Sequence, residues 1–330
     1  MGNILILGAG SMGTAFSVPC SDNNHTVSII GTHLEDNFID QINSEKKHPV
    51  LNTSISKNVK FSKFQNLEKE ILNKIDLIVI AVSSKGIEWA AKELSQYLKK
   101  NIPILILTKG LSINNNNYEV LAHTVERIFK KNGIKNLDIT GAGGPCLAAA
   151  LANRIHTSVV FANKKIELAD KIKKMISTDY YHIFTSSDVV GVETCAAIKN
   201  IFAMVIGSTK DFNTAAALFQ QSINEMISFS KKINGKKETV IGLAGVGDLY
   251  VSAIGGRNSK MGRYLGEGLT FNEAKKIKMP NDTVEGADLA KEIGNKVKSD
   301  FDIKSLPLMI SVINTICEGK ALKIEWNYFK

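Results

Sequence analysis

Three glycines near the start, Gly8, Gly10 and Gly13, stand at G-x-G-x-x-G spacing within Gly8-Ala9-Gly10-Ser11-Met12-Gly13. They follow an apolar run over residues 4–7, short enough for a buried parallel strand, and precede small residues able to open a helix. That order suits phosphate chemistry. Gly8 makes a tight turn, Gly10 lets the backbone approach a pyrophosphate, and Gly13 lets helix and strand pack closely, with helix amides facing the anion. A flexible glycine turn without a ligand is the competing reading, and the strand before and helix after favour a dinucleotide.

A second group has the chemistry of proton transfer. Lys199 lies in Ala196-Ala197-Ile198-Lys199-Asn200-Ile201. An amine among apolar and small residues is expected to be partly desolvated, which lowers its pKa and suits acid–base work; a lysine snorkelling from an amphipathic helix is the alternative. Asp248, after the run Gly242-Leu243-Ala244-Gly245-Val246-Gly247, can pair with Lys199 and position it. Arg257 and Asn258, after Gly255-Gly256, suit bidentate capture of a phosphate or carboxylate, although a helix-connecting loop with a surface arginine has the same composition. The histidines (His25, His33, His48, His123, His156, His182) sit in no catalytic setting and are expected to be structural or exposed.

The elements that must position these residues are legible in outline. A second strand over 26–30 ends in Gly31-Thr32-His33, where an NAD site usually places an acid for the ribose 2′-OH. Glu35 and Asp36 come later. Nothing at 31–33 would repel a 2′-phosphate, and His33 or Thr32 can hydrogen-bond one, so the cofactor is expected to be NADP or NAD with a lean to NADP; a surface loop is the other reading of His33. Further strands are expected over 75–82, 102–107, 137–140, 158–161 and 182–185, with a helix over 85–100. Strands alternating with helices predict an α/β, Rossmann-type, doubly wound parallel sheet whose ligands sit beyond the strand carboxyl ends, where Ser83, Lys109 and the glycines of 141–144 fall. The run 114–117 reads as a low-complexity loop.

From residue 189 strand signals cease, and helices are expected over 189–207, 213–232, 286–298 and 306–318, the last with Ser305 as N-cap, Pro307 in its first turn and Gly319 beyond its end. The expected organisation is a dinucleotide-binding domain over 1–188 and an all-α substrate-binding and catalytic domain over 189–330. A 330-residue chain with 44% hydrophobic and 22% charged residues has an ordinary globular composition. The net charge of +9 is spread over short lysine groups such as Lys99-Lys100 and Lys275-Lys276, without a basic block, so nucleic acid is not expected as a partner. Cys20, Cys146, Cys195 and Cys317 form no C-x-x-C, which points to a reducing cytoplasm rather than a metal or disulfide framework. With a strand at the start no signal peptide is expected, and the apolar runs read as too short to span a bilayer.

Taken together, the motifs GAGSMGTA, TKGL around Lys109, GVE…AIKN around Lys199, GVGDL around Asp248, GGRN at Arg257 and Asn258, and VEG at Glu285 resemble bacterial NAD(P)-dependent glycerol-3-phosphate dehydrogenases over nearly the whole length. The resemblance implies reversible reduction of dihydroxyacetone phosphate to sn-glycerol 3-phosphate for glycerophospholipid synthesis, with Lys199 as the acid–base. It implies that Lys109 binds substrate and stabilises charge, that Asp248 holds the substrate and orients Lys199, and that Arg257 and Asn258 meet the phosphate, Arg257 also lying close to the cofactor. Gly144 would line the substrate site, with Cys146 beside it. Ser11, Met12, Ala148 and Glu285 would contact the cofactor, and the protein would be a homodimer. Against the family pattern, Gly143-Gly144-Pro145-Cys146 replaces Ser-Gly-Pro followed by a hydroxyl residue, and Ala149-Ala150 replaces a Lys-Glu pair. The segment after Lys199 is short, and a family arginine is replaced within 213–217. Two other functions remain open at this point: a related dehydrogenase acting on another small phosphorylated or carboxylated hydroxy-compound, and a non-catalytic dinucleotide-binding sensor.

Overall fold

A computed structural model describes residues 1–51, 53–72, 74–98, 102–135 and 137–329; Lys99 and Lys100, read above as a helix end and a basic pair, lie outside the described residues. The strands are β1 (Asn3–Leu7), β2 (Thr26–Ile30), the two-residue β3 (Lys47–His48) and β4 (Thr53–Ser54), β5 (Val59–Ser62), β6 (Leu77–Ile80), β7 (Ile104–Ile106), β8 (Leu111–Asn114), β9 (Asn117–Val120), β10 (Ile139–Gly143), β11 (Thr157–Ala162) and β12 (Tyr181–Ser186). Eight of them form one sheet in the order β12-β11-β10-β7-β6-β1-β2-β5. Ile, Leu and Val fill β1 and β6 because both faces are covered: Ile4 to Leu7 and Leu77 to Ile80 are fully buried. The strand order reverses at β1, which pairs with β2 on one side and β6 on the other. The glycine turn therefore opens at the switch point, where doubly wound sheets bind ligands.

Two details of the sheet depart from the sequence reading. Strand β5 was not anticipated; its four residues add to the sheet edge beside β2. The sheet is also not wholly parallel, because β10 and β11 run antiparallel. Between them lies only the helix Ala148–Ala152, whose five residues rise about 7.5 Å, too little to carry the chain back along the sheet for a parallel return.

The run 114–117 is a hairpin turn rather than a featureless loop. Strands β8 and β9 pair antiparallel, and Asn115 and Asn116 take positive φ of 48° and 58°, as a type I′ turn requires. Leu111 and Val120 are buried in a core with Ile198, Phe202 and Phe229. One compact unit accordingly comprises Met1–Lys109 with Leu121–Val189, and the other Gly110–Val120 with Val190–Lys330. Residues 110–120, read above within the first domain, are packed in the second because their apolar side chains are buried there.

In the second unit the long helices are Val189–Gly207, Phe212–Lys232, Glu285–Asp300 and Pro307–Glu318. Contrary to the sequence reading, Val189–Gly207 is long and apolar enough to cross a membrane, with mean hydropathy 1.7. It is 89% buried inside the protein, so its apolarity is that of a core helix. Helix Arg257–Gly266 lies close against it: a Cβ on Gly262 would meet Met204 O at 1.9 Å, and one on Gly266 would meet Ser208 O at 1.9 Å. Ser305 does not cap the last helix, because its hydroxyl is donated to Asp302 at 2.6 Å. The open amides of Leu308 and Met309 are instead taken by the carboxylate of Glu225, at 2.8 and 2.9 Å. Glu225 is buried, and burial raises its pKa to about 7 against the lowering effect of those amides and of Gln221.

Candidate functional site

In the first unit the three glycines divide their labour. Gly8 has φ +114°, and a Cβ there would stand 2.6 Å from Ala81 O on the segment after β6. A Cβ on Gly13 would be 2.2 Å from Gly8 O. Around a Cβ on Gly10, by contrast, nothing lies within 4 Å. The fold itself therefore requires Gly8 and Gly13, whereas Gly10 keeps open a space that no protein atom fills, as a pyrophosphate cradle should. Ser11 and Met12 open helix Ser11–Asp22, which has no side-chain cap, so its first-turn amides remain available to an anion. These residues fit a dinucleotide.

The end of β2 is not as empty of charge as residues 31–33 suggest. Glu35 turns back, and its Oε2 accepts from the amides of Thr32 at 2.6 Å and Ala9 at 3.3 Å. The signal was present as Thr32-x-x-Glu35, a capping-box spacing that lets an acid reach backward. His33 is exposed and its ring meets Trp89 edge-on, with centroids 5.0 Å apart. His48 is buried; its Nδ1 accepts from the amide of Leu51 at 3.0 Å, and burial pushes its pKa down.

At the ends of β7 and β10, Thr108 donates to Val82 O at 2.7 Å, and Lys109 Nζ donates to Gly144 O at 3.2 Å. Gly144 has φ +102°, and its would-be Cβ is 3.2 Å from Val159 Cα, so this bend admits only glycine without strain. Lys109 is thereby tied to the Gly144 carbonyl. Cys146 is half-buried, and Ala148 begins the short helix that follows.

The second unit builds a buried polar cluster. Lys199, from the middle of Val189–Gly207, is 6% exposed; it forms an ion pair with Asp248, which is 1% exposed, and donates to Ser252 Oγ at 2.8 Å. The desolvation expected of Lys199 is present, and the adjacent carboxylate offsets the cost of burying its charge. The run before Asp248 is a π-helical turn, Leu243–Gly247, rather than a loop, and it leads directly into helix Asp248–Ile254. A Cβ on Gly245 would sit 2.0 Å from Val240 O, so the wide turn depends on that glycine. Such turns recur where a helix must present a functional side chain.

Asn258 ties three helices together. Its Nδ2 donates to Asn200 Oδ1 at 2.9 Å and to Glu285 Oε2 at 3.4 Å, and its Oδ1 accepts from the Gly286 amide at 2.9 Å. Arg257, half-exposed, forms an ion pair with Glu285. Within this unit the structure thus brings Lys199 beside Asp248 and Arg257 beside Glu285. Sequence reasoning left Ser252 without a role and did not join Asn200, Asn258 and Gly286; the paired groups are tens of residues apart.

Family models describing the N-terminus and C-terminus of NAD-dependent glycerol-3-phosphate dehydrogenase match residues 3–169 and 188–326. The chain is 30% identical over 336 residues to an NADP(+)-dependent glycerol-3-phosphate dehydrogenase of Archaeoglobus fulgidus, covering 98% of this chain and 96% of that one. It is 30% identical to a glycerol-3-phosphate dehydrogenase [NAD(P)+] of Clostridium tetani, covering 97% and 89%. In fold it is similar to the crystal structure of glycerol-3-phosphate dehydrogenase from Coxiella burnetii, with TM-score 0.85 and 24% identity over 97% and 96% of the two chains.

Proposed function

The chain belongs to the NAD-dependent glycerol-3-phosphate dehydrogenase family, an NAD(P)-dependent oxidoreductase, and we propose that it reduces dihydroxyacetone phosphate reversibly to sn-glycerol 3-phosphate with Lys199 as the acid–base. The observation that supports this most is the buried Lys199, paired with Asp248 and bonded to Ser252. A binding protein has no need to place a compensated amine in a core; a proton donor does.

The nicotinamide, when bound, supplies the hydride. Lys199 gives a proton to the oxygen of the carbonyl carbon that receives it, so the carbonyl becomes a secondary alcohol. Asp248 and Ser252 hold the amine in one orientation before and after that transfer. Arg257 and Asn258 take the substrate phosphate, with Glu285 and the Asn200–Asn258 bond fixing the two side chains. Lys109, held by Gly144 O, adds positive charge for the oxyanion. Gly144 and Cys146 border the substrate, and Gly8, Gly10, Ser11, Met12, Gly13 and Ala148 receive the dinucleotide. The four free cysteines suit a reducing cytoplasm, where the product would enter glycerophospholipid synthesis, and the family resemblance favours a homodimer.

Following nicotinamide absorbance with dihydroxyacetone phosphate and NADH or NADPH tests the proposal. Substrate-dependent oxidation is expected, and folded protein that oxidises neither cofactor refutes it.

A further inference from the structure

The acid that reads the adenosine ribose of a dinucleotide ordinarily closes the second strand of the sheet. In this chain β2 ends at Ile30 without one, and the first carboxylate arrives at Glu35, five residues past the strand end. Folding cancels that delay. The Glu35 amide donates to Thr32 O at 3.0 Å, closing a turn that points the side chain back over the strand end. Its Oε2 then accepts from Thr32 N at 2.6 Å and Ala9 N at 3.3 Å. Ala9 lies between Gly8 and Gly10, so the carboxylate is anchored at once to the end of β2 and to the phosphate turn. The side chain is half-buried, and the two amide bonds use Oε2, leaving Oε1 as the further acceptor.

Burial pushes the pKa of His48, which lies close enough to feel this carboxylate, below its ordinary value. His33 is packed edge-on against Trp89.

We propose that Glu35 sets the cofactor choice: it accepts the ribose hydroxyls of the adenosine half and excludes a 2′-phosphate, so that the chain takes NAD in preference to NADP. It differs from the lean to NADP that residues 31–33 carry on their own, because the Glu35 carboxylate stands near them in space. It rests on the glycine turn being the dinucleotide site. A phosphate dianion brought against an anchored carboxylate lowers affinity by about tenfold or more.

Calorimetric titration of the full chain with NADH and NADPH, and with 5′-ADP and 2′,5′-ADP as fragments that undergo no reaction, tests the proposal. NADH and 5′-ADP are expected to bind about tenfold or more tightly than their 2′-phosphorylated counterparts. Glu35→Gln, which keeps an acceptor for the two amides, is expected to close most of that gap by strengthening the phosphorylated ligands, with the melting temperature monitored to show a retained fold. Equal or tighter binding of NADPH by the unaltered chain overturns the proposal, as does an unchanged gap in Glu35→Gln. Failure of folded protein to bind any of the four ligands instead removes the dinucleotide site itself, and the proposal with it.

Discussion

Lys199 Nζ donates to Ser252 Oγ at 2.8 Å while paired with Asp248, and the two acceptors stand four residues apart on one helix. That spacing puts both on the same face, one turn apart, so a single rigid element grips the amine twice. The amine is thereby fixed in position without the use of a loop.

Removing the amine should remove the chemistry and leave the cofactor. Lys199→Ala is expected to lower kcat by about 10²-fold or more with little change in the Kd for NADH, measured by stopped turnover and by fluorescence titration. Activity equal to that of the unaltered chain would take Lys199 out of its role. Asp248→Ala removes the carboxylate that pairs with the buried lysine and is expected to cost about 3–5 kcal/mol of stability in urea unfolding.

The glycines of the phosphate turn should separate folding from binding. Gly10→Ala meets open space and is expected to leave the melting temperature nearly unchanged while weakening NADH binding. Gly8→Ala forces a Cβ toward Ala81 O at positive φ and is expected to destabilise the chain by more than about 1 kcal/mol. Equal loss of stability in both variants would refute this division.

Arg257→Ala should act on the substrate phosphate. The expected result is a raised KM for dihydroxyacetone phosphate with kcat less affected, since a uniform binding contact is lost. An unchanged KM contradicts the contact.

Glu225 makes stability depend on pH in an unusual direction. With its folded pKa raised to about 7 from 4.5, it holds a proton in the folded chain that the unfolded chain has released. Its contribution is full below about pH 4.5, declines as pH rises, and is gone above about pH 7. Between about pH 5 and about pH 8 the unaltered chain is expected to lose stability relative to Glu225→Gln, by up to about 3 kcal/mol in urea unfolding. A parallel pH profile for the two proteins would show that this carboxyl does not titrate there.

The sheet was legible because β1, β6 and β7 are apolar runs buried on both faces, and the helical unit because Leu308, Met309, Val312, Ile313 and Ile316 repeat at helical spacing. Strand β5 was not, since four residues at an edge carry little periodic signal. Lys199 and Asp248 could be paired as a guess from composition, but their partner Ser252 and the tie from Asn258 to Gly286 come from packing between helices distant in sequence. Glu35 shows the same limit at short range: the residue nearest the strand end in sequence is not the one whose charge stands there.

The hairpin at residues 110–120 has a consequence for how the chain is made. It is translated before β10, β11 and β12, yet its Leu111 and Val120 are buried with helices that emerge only after residue 189. On the ribosome its apolar faces wait for partners nearly eighty residues downstream, and the nucleotide-binding sheet must close around the interruption. Cutting the gene at the apparent boundary therefore does not yield two autonomous pieces, because the later piece would lack a part of its own interior.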